Sequence, residues 1–344
     1  MNAVVRLANI RSILSGRKGL MPRWQGWGLI GVALILIAYS CFVHLFLSKD
    51  PEILGQYTYR LPLWGWPVDD LAQFCDVKPV KMAIHDELYG CVDEQELPWH
   101  DDEPSRLVEL QDRFSAHRLI NAFRTTLPNP ILQEEHNVGV AADYLTGSVI
   151  LPGEIFSLNR AIGPRTQERG FGKGPVYLDG QIKTTIGGGI CKIASTLYNV
   201  VVFGDLLLVE RHPHSMLVPY VPPGRDATVV WGAKDFRFRN NKKAPVIIWA
   251  FLQDNTLYIA LYGQYETPRV EWHHEELARN RTWTITRQNP ALAHGEERVL
   301  EGADGVKIRT WVTVEYPHGP LKKLELGIDR YRPMPHLVEY GPQG

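Results

Sequence analysis

This sequence of 344 residues has few cysteines, almost no net charge and none of the common metal-binding motifs. Only four cysteines occur, and neither the CxxC nor the HExxH pattern of common zinc sites is present. The formal net charge is -1, whereas a nucleic-acid partner usually requires a clustered basic surface. The sequence therefore predicts no metal site, no cofactor and no nucleic-acid partner.

Charged residues are absent between residues 27 and 47, and a helix of about 21 apolar residues is long enough to cross a membrane. The 26 residues before this segment contain basic but no acidic side chains. Basic flanks favour the cytoplasmic side, and the apolar run is longer than that of a cleavable signal peptide. We therefore expect a cytoplasmic tail at 1–26, a single-pass membrane anchor at 27–47 and an extracytoplasmic remainder.

Outside the cytoplasm, two cysteines are placed to form a disulfide. Cys75 and Cys91 would close a loop of about 16 residues, which in the chain-entropy model stabilises a fold by about 3 kcal/mol. This pairing leaves Cys191 as an external thiol without a partner, since Cys41 lies in the apolar segment. Cys191 is therefore the candidate for chemistry.

Hydrophobic spacing changes along the external part of the chain. Residues 48–104 predict an irregular stem, because they are rich in Pro, Trp and acidic residues. Helical spacing follows in two segments after residue 105, and alternation typical of strands dominates from about residue 175. The pattern predicts an α+β fold, with a β-rich catalytic domain at 105–265 and a β-rich module at 266–344.

Three consecutive glycines, Gly187 to Gly189, precede Cys191 and a segment with helical character. A helix that starts here would place the thiol near unpaired backbone N–H groups, and Gly188 and Gly189 would let a substrate carbonyl approach them as an oxyanion site. We expect this helix to pack Ile193, Leu197 and Val201 against a sheet containing residues 246–262. A helix end contributes only about 0.3–1 kcal/mol, less than one pKa unit, so the thiol also needs a basic neighbour.

The candidate bases lie in the segment His212-Pro213-His214. A Cys–His pair is a common route to an activated thiolate, and Asp226 and Asp235 are candidates to orient the imidazole. The residues alone do not choose between the two histidines or between the two carboxylates. A surface loop and a Cys–His–His zinc site are the alternatives.

Residues 137–263 resemble the VanW family of bacterial envelope proteins. The motifs that carry the resemblance are Leu151-Pro152-Gly153-Glu154, Gly163-Pro164-Arg165, Gly187-Gly188-Gly189-Ile190-Cys191, Ser195-Thr196-Leu197-Tyr198-Asn199, His214-Ser215 and Arg225-Asp226-Ala227-Thr228. The glycine–cysteine and Arg-Asp-Ala-Thr blocks together are highly specific. The family takes its name from its occurrence beside vancomycin-resistance genes.

The resemblance implies an L,D-transpeptidase that cross-links peptidoglycan stem peptides through a thioester on Cys191. It assigns His214 as the general base and Asp226 as the carboxylate that orients it, with His212 and Asp235 as second candidates. A non-catalytic wall-binding or antibiotic-resistance accessory protein is one alternative. A metal-dependent or redox-active envelope protein is the other.

Substrate-binding residues are also expected in these motifs. Arg211 or Arg225 would bind the carboxylate of the stem peptide through paired hydrogen bonds, with Ser195 and Tyr220 beside them. Lys192 departs from the family, which usually has Gln after the cysteine. Its ammonium group would lower the thiol pKa, hold the same carboxylate, or mark a changed substrate.

Overall fold

The computed structural model describes residues 88–127, 130, 133–178 and 181–342. These residues fall within one compact unit, Phe74–Gly344. The predicted cytoplasmic tail, the membrane anchor, Cys75 and the stem up to residue 87 lie outside the described residues. Within the described ranges, no helix is both long and apolar enough to span a bilayer.

The predicted α+β class is wrong, because the described part of the chain is mostly β-sheet. Four short α-helices occur there: α1 Ser105–Phe114, α2 Glu134–Leu145, α3 Leu158–Ile162 and α4 Cys191–Phe203. The strands are β1 Tyr89–Cys91, β2 Arg118–Thr126, β3 Ser148–Ile150, β4 Ile155–Ser157, β5 Lys173–Leu178, β6 Gln181–Ile186, β7 Leu207–Glu210, β8 Arg237–Arg239, β9 Val246–Gln253, β10 Thr256–Gly263, β11 Arg269–Asn280, β12 Thr284–Gln288, β13 Glu297–Leu300, β14 Gly305–Glu315, β15 Lys322–Tyr331 and β16 His336–Tyr340. The first of the two segments with helical spacing is helical only as far as Phe114, where α1 ends and β2 follows.

A five-stranded antiparallel sheet in the order β1-β2-β10-β9-β3 organises the first part of the fold. Its β9–β10 hairpin turns at Asp254 and Asn255, which both have positive φ as a type I′ turn requires. The helix α4 packs on one face of this sheet, as predicted. Ile193, Leu197 and Val201 share a single hydrophobic core with β9 and β10.

The opposite face of the sheet is covered by residues 92–116, including part of the predicted stem. Trp99 is buried there and donates from its indole nitrogen to Tyr262 Oη at 2.8 Å. Leu107 of α1 and Trp249 of β9 belong to the same cluster. Cys91 is exposed at the end of β1, and its predicted pairing with Cys75 stays a prediction.

Two three-stranded sheets form the C-terminal part, in the orders β11-β14-β15 and β12-β16-β13. Strand β14 alternates as its sequence predicts, and Val306, Ile308, Val312 and Val314 are buried. Trp272 of β11 packs edge-on against Tyr198 of α4, with ring centres 5.7 Å apart. The C-terminal β-strands therefore contact the helix that begins at Cys191.

The glycine run that leads to Cys191 packs closely against another part of the backbone, and Gly188 has no room for a side chain. A Cβ atom added to Gly188 would lie 2.2 Å from the carbonyl group of Gly174. Asn137 fixes the same turn, since its amide donates to the carbonyl oxygen of Gly188 at 2.9 Å. The entry to α4 is therefore packed against β5 and α2.

Replacing Gly188 with Ala is expected to lower the free energy of unfolding by about 1–3 kcal/mol or more, because the new methyl group overlaps backbone atoms. Gly90→Ala is the matched control, since a Cβ there meets no described atom within 4 Å. Urea denaturation of both variants measures the difference. Equal stability of the two would contradict the close backbone contact.

Candidate active site

The thiol of Cys191 stands at the first residue of α4, where the helix leaves the glycine run. Gly189 has a φ of +97°, which a glycine adopts easily, and this turns the chain into the helix. The sulfur lies 3.1 Å from Thr228 Oγ1 and 3.8 Å from the carbonyl oxygen of Val229. Cys191 is half-buried. In the first turn of α4, the N–H groups of Lys192 and Ile193 donate to the carbonyl oxygens of Gly189 and Ile190 at 3.1 and 2.9 Å, so neither is a free donor beside the sulfur.

A buried His–Asp pair faces this thiol. His214 Nδ1 lies 2.6 Å from Asp226 Oδ2, and the backbone N–H of His214 donates to the same oxygen at 2.7 Å. The His214 ring and the Cys191 thiol are close enough to shift each other's pKa. Since Nδ1 is engaged by Asp226, Nε2 is the nitrogen that remains for the sulfur. The structure thus brings together the three residues that the sequence assigned as nucleophile, base and orienter.

The second carboxylate oxygen of Asp226 is held by groups from two parts of the chain. Arg211 Nη2 donates to Asp226 Oδ1 at 3.1 Å, and the Tyr331 hydroxyl donates to the same atom. Tyr331 Oη also accepts from the backbone N–H of Gly224 at 2.8 Å. Arg211 Nη1 in turn donates to Asp329 Oδ2 at 2.5 Å. Asp226 is 1% exposed, so this network compensates a buried charge.

The three groups shift one another's proton affinities. Burial alone would raise the pKa of Asp226, but the hydrogen bond from His214 and the charge of Arg211 hold it far below its usual range. Burial would lower the pKa of His214, yet its bonds to Asp226 and Cys191 raise that pKa to about 9.

The thiol responds in the opposite direction. Burial would raise the pKa of Cys191, but the hydrogen bond and charge of His214, together with the Thr228 hydroxyl, lower it to about 7. Between about pH 7 and 9, Cys191 is therefore mainly a thiolate beside a protonated His214. This ion pair is the reactive form that a cysteine nucleophile requires.

The second candidates lie elsewhere. His212 Nε2 pairs with Glu210 Oε1 at 3.0 Å. The backbone oxygen of His212 accepts a hydrogen bond from the backbone N–H of Thr228 at 2.8 Å. Asp235 accepts from Ser157 Oγ at 2.5 Å and from Asn159 N at 2.9 Å. Both side chains thus have structural partners away from the thiol.

Three cationic candidates for substrate binding are occupied within the protein. Lys192 is 1% exposed and donates to the carbonyl oxygen of Asn255 at 2.9 Å; burial lowers its pKa to about 8. Arg211 is committed to Asp226 and Asp329. Arg225 is stacked at 4.7 Å from the centre of the Trp272 ring. None of the three presents an open guanidinium or ammonium group beside Cys191.

The remaining predicted residues connect the segments that form the site. Ser195 Oγ donates to the carbonyl oxygen of Ala227 at 3.1 Å and accepts from the N–H of Ala227 at 3.0 Å, which ties α4 to the Asp226 segment. Tyr220 is buried and hydrogen-bonds Ser195. The N–H of Gly188 donates to the carbonyl oxygen of Thr185 at 3.2 Å, so it is not free to serve as the predicted oxyanion donor.

An open cavity of about 910 Å³ has a lining that does not include Cys191 or His214. It is lined by α3, Gly163, Pro164 and the segment 231–235. Val229, whose carbonyl oxygen contacts the Cys191 sulfur, lies two residues before Trp231, which is part of the lining. Among the described residues, no cluster of three or more His, Cys, Asp and Glu side chains is arranged to hold a metal ion.

Thr228, Tyr331 and Arg165 were not assigned roles from the sequence. Thr228 closes the Arg-Asp-Ala-Thr block, so a hydroxyl two residues after the orienting carboxylate was the available signal. Tyr331 carries no local signal, because only the tertiary fold brings the end of β15 to Asp226. Arg165 lies in the Gly-Pro-Arg motif and packs its Cβ against Gly187.

Part of the chain is similar to known proteins. Residues 133–262 match the family described as VanW like protein, which confirms the predicted resemblance over this part of the chain. The chain therefore carries a VanW-like domain. "Uncharacterized protein YoaR" of Bacillus subtilis is 42% identical over 128 residues, 37% of this chain and 42% of that protein. "Vancomycin B-type resistance protein VanW" of Enterococcus faecalis is 29% identical over 127 residues, 35% of this chain and 46% of that protein.

The matches leave much of each relative unaligned, since the chain spans less than half the length of either protein. Two solved structures also align with part of the chain. The IgA1 protease G5 domain is 23% identical, with a TM-score of 0.15, and covers 24% of this chain and all of its own. HP0197-G5 is 16% identical, with a TM-score of 0.12, and covers 23% of this chain and 100% of its own. Similarities this small do not bear on function.

The charge on His214 is expected to set the reactivity of Cys191 toward iodoacetamide. In the unmodified protein, alkylation of Cys191 should rise with pH around a midpoint near 7. His214→Ala should move this midpoint above about 8.5, the ordinary value for a thiol, because burial then acts without the imidazolium. Peptide-resolved mass spectrometry separates Cys191 from the other cysteines.

His212→Ala is the matched control and should leave the midpoint unchanged, because its ring pairs with Glu210. A shift in His212→Ala with none in His214→Ala would exchange the roles of the two histidines.

Proposed function

We propose that this protein is a cell-envelope thiol acyltransferase that acts on peptidoglycan stem peptides in the manner of an L,D-transpeptidase. The observation that carries the proposal is the grouping of the buried Asp226 with His214 and Cys191 at the start of α4. The VanW-like domain supplies the context, and a relative that bears the name of a vancomycin-resistance protein is consistent with an envelope location. We place this site outside the cytoplasm on the same grounds.

The reaction would proceed through a thioester. The Cys191 thiolate attacks the carbonyl carbon of the third residue of a tetrapeptide stem, and the bond from this carbon to the nitrogen of the terminal D-alanine breaks. Protonated His214 gives its proton to the leaving amine. An amine of a neighbouring stem then attacks the thioester and gives a proton back to His214, and the carbon–sulfur bond breaks to restore the thiolate.

Each side chain has a property that this sequence of steps requires. The pKa of Cys191 near 7 leaves a large thiolate fraction at neutral pH, and the pKa of His214 near 9 keeps a proton ready for the leaving amine. General acid–base catalysis of this kind contributes typically about 10²–10⁴-fold in rate. The ionised Asp226 fixes the imidazole through Nδ1, which orients the other nitrogen toward the sulfur.

A non-catalytic wall-binding or resistance accessory protein is the second candidate. The half-buried thiol favours it, because Thr228 and Val229 stand directly against the sulfur. In that case the network around Asp226 would serve stability alone. Turnover separates the two candidates.

Incubation of the purified full-length protein with a tetrapeptide stem ending in D-alanine is expected to release D-alanine. Cys191→Ala should abolish the release, and Cys191→Ser should leave at most a trace, because a hydroxyl group is far harder to ionise than a thiol. Chromatographic detection of free D-alanine measures the reaction. His212→Ala serves as the active control.

Release that persists in Cys191→Ala would contradict the mechanism. Binding of the peptide without release in any variant would favour the accessory protein.

A further inference from the structure

An acyl donor that ends in D-alanine presents a free carboxylate next to the bond that breaks. The predicted partners for this group do not face the thiol. Arg211 donates from Nε to the carbonyl oxygen of Asp226 and from its two Nη atoms to Asp226 and Asp329. Arg225 is partly buried, and its Nε donates to Asn199 Oδ1 at 2.7 Å. A different cation is needed if the site recognises the carboxylate.

Arg165 stands at the edge of the thiol site. Its Cβ lies only 2.5 Å from where a Cβ on Gly187 would be, so the side chain packs on the glycine run that leads to Cys191. Its guanidinium carbon lies 5.7 Å from the centre of the Trp231 ring, two residues after the Val229 carbonyl that touches the sulfur. The Arg165 guanidinium also interacts with the charge of Cys191.

The guanidinium of Arg165 has a donor left over. Nη1 donates to the carbonyl oxygen of Gly163 at 3.0 Å, whereas Nη2 is buried and has no hydrogen-bond partner among the described residues. A buried charged donor without an acceptor is costly and uncommon in proteins. A carboxylate is the acceptor that a guanidinium binds best.

We propose that Arg165 binds the terminal carboxylate of the acyl-donor peptide. This inference rests on the proposed acyl transfer, because it assigns a role to the group that leaves. Trp231 covers the guanidinium, and 51% of this residue is exposed. It lies on the short turn closed by the bond from Val230 N to the carbonyl oxygen of Lys234 at 2.9 Å. The peptide therefore reaches Nη2 by displacing the Trp231 ring from the mouth of the site.

The test compares a tetrapeptide stem ending in D-alanine with the same peptide ending in D-alaninamide. The unmodified protein should prefer the free acid by about 10-fold or more in kcat/KM, the range expected for a hydrogen bond between charged groups. Arg165→Met should reduce this preference to within about 2-fold by slowing the free acid alone. A change in thiol reactivity would instead slow both peptides equally.

Arg113→Met is the matched control, since Arg113 also stacks on an aromatic ring, that of Phe114, but is exposed on α1. Thermal melting establishes that each variant is folded. If Arg165→Met does not fold, Arg165→Lys keeps the charge but loses the planar pair of donors, and it should show a reduced preference that still favours the acid.

Calorimetric binding of the two peptides to Cys191→Ala separates this inference from the proposed reaction. A preference for the acid that disappears in Cys191→Ala/Arg165→Met supports carboxylate recognition even if no variant releases D-alanine. Turnover with an unchanged acid preference in Arg165→Met overturns the role of Arg165 and leaves the acyl transfer standing. Failure of both peptides to bind Cys191→Ala also overturns it.

Discussion

The ionised carboxylate of Asp226 is the charge around which the candidate site is arranged. It is almost completely buried, and an isolated carboxylate in such a place would be strongly unfavourable. His214 binds one oxygen through both its ring and its backbone, while Arg211 and Tyr331 bind the other. Removing a single partner from a buried pair of this kind typically costs about 3–5 kcal/mol. The orientation of the imidazole and the low pKa of the thiol both follow from this one anion.

The C-terminal strands take part in the same network. Tyr331 and Asp329 lie at the end of β15, well beyond residue 262, where the match to the VanW family ends. Tyr331 fixes Asp226 directly, and Asp329 holds Arg211 from its far side. The C-terminal sheets are therefore not an independent appendage with respect to the site. They supply part of the environment in which the VanW-like domain holds its charged residues.

Prediction from the sequence succeeded where chemistry follows local pattern. The glycine run and the segment after it predicted Cys191 at a helix start, where the structure has it. The resemblance to the VanW family singled out His214 and Asp226, which the structure pairs, and their chemical roles stay a prediction. The sequence was less informative about contacts between residues that only the tertiary fold brings together. Nothing near Arg211 indicates that Asp329 occupies its guanidinium, and nothing near Lys192 indicates the carbonyl of Asn255. The α+β class failed for a related reason, because hydrophobic spacing alone does not distinguish a short helix from the strand that continues it.

The proposed acyl transfer requires a covalent acyl intermediate on Cys191. Mass spectrometry of the protein, quenched with acid during incubation with a tetrapeptide stem, tests this most directly. The proposed reaction predicts a peptide containing Cys191 whose mass is increased by the stem without its terminal D-alanine, and the increase should be removed by hydroxylamine. Release of D-alanine with Cys191 unmodified at every time point, or an adduct on another residue, would contradict it.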